Sequence, residues 1–336
     1  MAQVEKKSRI YDIGIVPYKA ELAERILFPF AQLNYLTNGG ILDRLTLITS
    51  STDNGKTTLA SQIICDCIKQ GYKVAADFGE DTGTEACERL YKQYTPYNRD
   101  NYIALNYEQN GKKTNVTEYF LTQSKWKEAN NFFASKLFVY NTLCTHDIDS
   151  ILEGFTEAFN LGCRVFVLDN MENVEYDGDN ENKRFKDIAI ALRNFAIRKK
   201  VHIIVVAHIR KMEREVIVPT LDDVKGSSAV SNTAKNVFAI IRTDKIDRDD
   251  KPYKRLQSLC KLNNYNIDEA DAVLFVLKTK GKKLGLVCLK FNTVTQTYYE
   301  ISKIDEKRAE PEKVVMYAPK VQQLTIEDTE DGDLPF

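Results

Sequence analysis

Residues 45–59 read LTLITSSTDNGKTTL: an apolar run passes into a short polar loop, reaches Gly55-Lys56-Thr57-Thr58, and opens onto a helical pattern. A strand, a tight loop and a helix N-terminus in that order aim backbone N–H groups at one point, a geometry that holds phosphate. A lysine at the end of such a loop reaches the β- and γ-oxygens, and the hydroxyl after it holds Mg²⁺. Lys56 and Thr57 supply those functions, and Ser50, Asn54, Gly55 and Thr58 complete the loop. The strict pattern carries glycine where this chain has Ser50, so the surrounding sequence has to carry the assignment. The expected ligands are ATP and Mg²⁺.

The surrounding pattern is an alternation of strand and helix. A helix from Thr57 to Gln70 ends at Gly71, and Lys73–Phe78 is the next strand. Short strands follow at Lys136–Tyr140, Arg164–Leu168 and Val201–Ala207, with helices at Asp147–Asn160 and Asn180–Lys200 between them. Such an order predicts an α/β fold with a mostly parallel sheet flanked by helices. Asn236–Arg242 reads as a further strand, and Ala272–Leu277, Gly285–Phe291 and Thr297–Ile301 read as antiparallel strands at one edge. Residues 81–135 read as a helical and loop elaboration with a turn at Asn110-Gly111, and Tyr18–Phe28 as a short amphipathic helix. The expected domains are an N-terminal linker (1–37), the ATPase domain (38–302) and an acidic, largely disordered tail (303–336).

Val165–Asp169 delivers a carboxylate at the C-terminal end of an apolar strand, where ligands of open α/β sheets bind. Asp169 is therefore the expected Mg²⁺-side ligand, although a strand-terminal Asp can also cap the next element. Hydrolysis needs a base opposite the γ-phosphate, and Glu80, just past the second strand, is the best candidate among Asp77, Glu80, Asp81 and Glu85. His208 ends the strand after that of Asp169 and precedes Arg210, Lys211 and Arg214, which suggests a γ-phosphate sensor wired to a segment that touches an anion.

Taken together, GKTT (55–58), Glu80, VFVLDN (165–170), VVAHIRK (205–211), LDDVKGSSAVSNTAKNV (221–237) and KTKGKKLG (278–285) resemble the ring-forming replicative DNA helicases with a RecA-like motor. The bacteriophage and mitochondrial primase-helicase type, which carries histidine where bacterial relatives use glutamine, is the most similar. The resemblance covers 36–301 and implies a RecA-like P-loop NTPase, without the primase half, that assembles as a ring of six and moves on single-stranded DNA. It further implies that Glu80 is the base and His208 the sensor. Arg210, Lys211, Arg214, Lys225, Gly226, Ser227 and Ser228 would face DNA. Lys278 and Lys280 would act on the γ-phosphate of the neighbouring subunit. Family members place arginine where this chain has Lys280, which replaces a planar fork by a point charge; Arg242 is an alternative finger, and 278–283 can also be read as a solvated hairpin.

Net charge is −1, but residues 303–336 hold nine acids and five bases, leaving the body at about +3. A near-neutral chain excludes an all-round basic surface, not a local basic stripe. Phosphate contacts from the bases named above predict binding without sequence preference. Seven cysteines without paired metal spacing read as free thiols, and no apolar run has the length of a membrane span, so a cytoplasmic location is expected, in a bacterial host if the chain is phage-encoded. The last ten residues, EDTEDGDLPF, resemble the acidic tip of bacterial single-stranded DNA-binding proteins, which implies that Asp333, Leu334, Pro335 and Phe336 dock on a primase or other replication protein. Two alternatives remain open: a RecA-like recombinase or repair ATPase, and a non-motor ATP-binding module that recruits replication proteins through its tail.

Overall fold

The structure, a computed structural model, describes residues 24–79, 81–109, 112–141, 143–178, 180–209, 218–225, 227–280 and 284–304. In chain order its elements are β1 (Arg25–Ile26), α1 (Ala31–Thr37), β2 (Gly40–Ile41), β3 (Leu45–Ser50), α2 (Lys56–Lys69), β4 (Lys73–Phe78), α3 (Gly83–Tyr94), β5 (Tyr102–Gln109), β6 (Lys112–Leu121), α4 (Gln123–Phe133) and β7 (Leu137–Val139). There follow α5 (Ile148–Asn160), β8 (Cys163–Asp169), α6 (Glu181–Lys199), β9 (His202–His208), α7 (Ser227–Thr233), β10 (Asn236–Arg242), α8 (Lys251–Leu262), β11 (Ala272–Lys278), β12 (Gly285–Asn292) and β13 (Thr297–Glu300).

Nine strands form one sheet in the order β13-β12-β11-β10-β3-β9-β8-β4-β7. From β10 to β7 all neighbours are parallel, and β11, β12 and β13 add antiparallel at one edge, as the sequence predicts. The central strands are covered on both faces, which is why 45–50 is buried along its whole length and 165–168 and 203–207 are unbroken apolar runs rather than alternating ones. One face packs on α2, α3 and α4 through Leu59, Ile63, Leu90 and Phe133; the other packs on α5 and α6 through Phe155, Phe185, Ile188 and Leu192. No helix among the described residues is long and apolar enough to cross a membrane.

Three expectations are corrected. The helix expected at Tyr18–Phe28 does not extend through its described part, because Arg25 and Ile26 pair antiparallel with Ile41 and Gly40 as β1 and β2. Ile26, Phe28 and Phe30 are buried while Leu27 is half exposed, a period of two that belongs to extended chain, and the helix comes later, as α1. These residues, with Leu33 and Leu36, join the core of the domain itself, so 24–37 is not linker. The elaboration at 81–135 contains an antiparallel hairpin, β5 with β6, between α3 and α4. Finally, α8 was not foreseen; it buries Tyr253, Leu256 and Cys260 on β10, β11 and β12.

Candidate ATP site

The parallel strands bring their C-terminal ends to one edge of the sheet. Ser50 at the end of β3 is level with His208 at the end of β9, and Asp169 at the end of β8 is level with Phe78 at the end of β4. Residues 51–55 turn from β3 into α2, with Gly55 as its N-cap at φ +84°. A Cβ on Gly55 would lie 2.1 Å from the Tyr298 hydroxyl, so glycine is required there twice, by its backbone and by its neighbour. Ser50 does not adopt a positive φ; it ends the strand fully buried, with its hydroxyl donating to the Ser51 carbonyl at 2.7 Å. Its backbone does not need the flexibility of glycine, which explains why the departure leaves the loop formed.

Within the loop the Asn54 amide donates to the Ser51 hydroxyl at 2.7 Å, and its carbonyl oxygen accepts the Arg242 backbone N–H at 2.8 Å. Lys56 is buried and its ammonium donates to the Ser51 carbonyl at 3.0 Å, turned back onto the loop. Thr58 offers its carbonyl to Gln93 at 2.9 Å, which ties the start of α2 to α3.

Asp169 is the most conflicted residue of the site. Burial pushes its carboxyl up to about 7, against the Thr57 hydroxyl that donates to it and the nearby charges of Arg89 and Lys56. Its Oδ2 is buried and has no hydrogen-bond partner among the described residues. A hydroxyl and an orphaned carboxylate oxygen in contact, beside a phosphate loop, fit a divalent cation held mainly by water and phosphate. No group of three or more His, Cys, Asp or Glu side chains that could hold a metal unaided occurs among the described residues. Thr57 and Asp169 would hold Mg²⁺.

His208 is partly exposed at the same edge. Its backbone N–H donates to Glu172 Oε1 at 2.8 Å and its carbonyl accepts the Lys225 N–H at 3.1 Å. The expected sensor and the expected DNA-facing turn are thus joined by one backbone hydrogen bond. The Lys225 ammonium itself pairs with Glu181 at 2.8 Å. Glu80, Arg210, Lys211, Arg214, Gly226 and Asp333–Phe336 lie outside the described residues, as do the side chains of Ser227 and Ser228.

Lys278 and Lys280 are not brought to this edge. Lys278 pairs with Val237, which is level with Leu47, three residues short of the end of β3, and Lys280 lies further away along the same direction. The Lys278 ammonium donates to the carbonyls of Ser231 and Asn232 at 2.7 and 3.2 Å, closing the C-terminus of α7, whereas Lys280 is exposed. Arg242 sits beside its own phosphate loop with its guanidinium on Asp244, a poor placement for reaching a neighbour.

Arg89, Glu172, His146 and Tyr298 stand at the site without having been singled out from the sequence, whereas Asp77 was among the candidate bases. Arg89 pairs with Asp81, donates to the Ser61 hydroxyl at 2.9 Å and lies over the Phe78 ring, next to Asp169. Glu172 holds His208; it stands three residues past Asp169, and that spacing was the available signal. Asp77 is fully buried with Oδ2 2.7 Å from His146 Nε2, while His146 Nδ1 lies 2.9 Å from the Asn173 carbonyl. Tyr298 arrives at Gly55 from β13, a long-range approach that no local pattern announces.

The same fold is found in solved structures. A structure described as the ATPase domain of G40P superposes with a TM-score of 0.63 at 16% identity over 81% of this chain and 90% of that one. A DnaB-like replicative helicase, described with its interactions with primase, gives 0.63 at 15% identity over 83% of this chain and 62% of that one. No curated protein matches the chain. The family model for the DnaB-like helicase C-terminal domain matches residues 26–300, which span every strand and helix described above except one residue of β1. The chain therefore belongs to the DnaB-like helicase C-terminal domain family and is an ATPase of the helicase type.

Proposed function

We propose that this chain is the motor of a replicative helicase, hydrolysing ATP at the junction between copies of a ring and using the cycle to move on single-stranded DNA and part the duplex. The observation that carries the reading is the division of the catalytic parts: Lys56, Thr57, Asp169 and His208 gather at one edge of the sheet, whereas Lys278 and Lys280 lie toward the other. A complete site then takes cations from a second copy.

In this reading the loop N–H groups and Lys56 bind the β- and γ-phosphates, the Lys56 ammonium exchanging the Ser51 carbonyl for phosphate oxygen. Thr57 and Asp169 would hold Mg²⁺, which when bound would supply positive charge against the phosphates. Glu80 accepts the proton of the attacking water, and Lys280 of the adjoining copy meets the charge that develops on the γ-phosphate. His208 senses that group, and its carbonyl passes the change directly to Lys225. Arg210, Lys211, Arg214 and Lys225 facing DNA phosphates, helped by Ser227 and the N–H groups of Gly226 and Ser228, give affinity without base readout. The acidic tip at 333–336 would dock on a replication protein by its terminal Phe and carboxylates.

Turnover measured with and without single-stranded DNA, for the wild type and Glu80→Gln, tests this. The expected result is DNA-stimulated hydrolysis that falls at least about a hundredfold in the variant. Slow hydrolysis indifferent to DNA would instead favour the non-motor module.

A further inference from the structure

The edge of the sheet opposite the phosphate loop carries a second concentration of charge. Arg44 precedes β3 and Lys235 precedes β10, and the Lys235 N–H donates to the Leu45 carbonyl at 2.9 Å, so the two chain positions are adjacent. Arg25, on β1, pairs with Ile41 and donates to the Asn38 carbonyl at 3.1 Å on the same side. Lys280 follows the end of β11, whose antiparallel course returns it to the start of β10. Four cations from four separate segments thus lie close enough to act on one another's charge, with Asp43, paired to Arg44 at 2.6 Å, as a counter-charge among them. The half-buried Lys235 ammonium forms no ion pair with a described residue; burial and the charges of Arg44, Arg25 and Lys280 all lower its proton affinity.

Fixed like charges on a folded surface are unfavourable unless an anion meets them. Two anions are available to a chain of this kind, a nucleotide triphosphate and a DNA backbone. The expected DNA-facing turn begins at Lys225, bonded to His208 at the other end of the sheet, so one DNA strand would have to reach both ends. A triphosphate held by a second copy requires only a head-to-tail contact, the heterologous kind that closes into rings.

We infer that Arg44 and Lys235 join Lys280 in a phosphate-binding wall that acts on the triphosphate seated in the loop of an adjoining copy. This rests on the proposed cross-copy site and extends it. It also offers a physical answer to the missing arginine: several point charges in place of one planar fork.

The test is complementation between two inactive chains. One carries Lys56→Ala, which spoils the cradle and leaves the cationic wall; the other carries Arg44→Ala with Lys235→Ala, which spoils the wall and leaves the cradle. Each alone is expected to turn over ATP at least about tenfold more slowly than the wild type. Mixed one to one, randomly assembled copies place an intact wall against an intact cradle at about a quarter of their junctions. Recovery toward that fraction of wild-type turnover is expected, and Lys235→Arg alone should retain most of it. Circular dichroism and ring mass of the double variant check that it folds and assembles.

Wild-type turnover by the double variant would overturn the inference and leave the proposed function standing. A folded, inactive variant that the mixture does not rescue would overturn it too, since the loss would then lie within one chain. Unrescued loss together with weaker single-stranded DNA binding and a flatter salt dependence would assign the wall to DNA. A wild-type chain with no turnover would remove both readings.

Discussion

At Asp169 a carboxylate is taken almost wholly out of water, one of its oxygens lacks a partner, and burial raises its proton affinity until neutral pH falls on its titration. An ion in that position destabilises the chain that carries it and is tolerated for what it binds. Asp169→Asn keeps the shape and removes the charge. Without nucleotide, thermal unfolding of this variant at neutral pH is expected at the wild-type temperature or above, whereas its ATP turnover should fall by a factor of about a hundred or more. A variant that is both less stable and still active would show that the carboxylate has a capping role. Ser50 makes the complementary point: the residue breaks the usual pattern of the loop, yet it occupies a backbone conformation open to any residue and its hydroxyl has a partner.

At the scale of elements, His202 illustrates how tertiary contact overrides local pattern. It begins β9, wholly buried, with Nδ1 donating to the Ile41 carbonyl at 2.9 Å and Nε2 accepting from the Thr46 hydroxyl at 3.1 Å, the pairing of a neutral ring. Gly40 lies against it so closely that a Cβ there would come within 2.7 Å of the ring. Burial lowers its proton affinity to about 4. Because the unfolded ring takes up its proton near 6.5, the unfolded state binds more protons between those values, and stability falls as pH drops through that window. The full loss is about 3 kcal/mol at 1.36 kcal/mol per unit. Denaturant titrations of the wild type and His202→Asn at pH 7.5 and 4.5 should show the wild type losing more stability on acidification by an amount of that order; equal losses would contradict the assignment. The sequence pattern of β9 was legible, but the role of its first residue was not, because Ile41, Gly40 and Thr46 meet it only in the fold. The same holds for β1 and β2: residues 18–28 have a helical spacing of apolar groups, and pairing of Arg25–Ile26 with Gly40–Ile41 prevails for the described part. By contrast β3, β4 and β10 were legible as segments rich in apolar residues bounded by their own turn chemistry, and the polar loop at 51–58 by its Gly-Lys-Thr sequence before a helix.

For the whole molecule, the order of the strands decides what a single chain can do. Parallel strands gather Ser50, Asp169 and His208 at one edge because each of β3, β8 and β9 ends there; β11, running the opposite way, carries Lys278 and Lys280 back toward the other edge. The motif residues were readable one by one, and their division between two edges follows from strand direction, which the alternation of strand and helix already implied. Arg44 and Lys235 were not readable at all, since their proximity depends on β10 lying beside β3 across some 190 residues of chain. The measurement that tests the central claim most directly is ATP turnover per chain against protein concentration, with mass determined at each point. If the site is completed by a second copy, specific activity rises with assembly and is close to nil for the monomer. A monomer that turns over ATP at the full rate would contradict it.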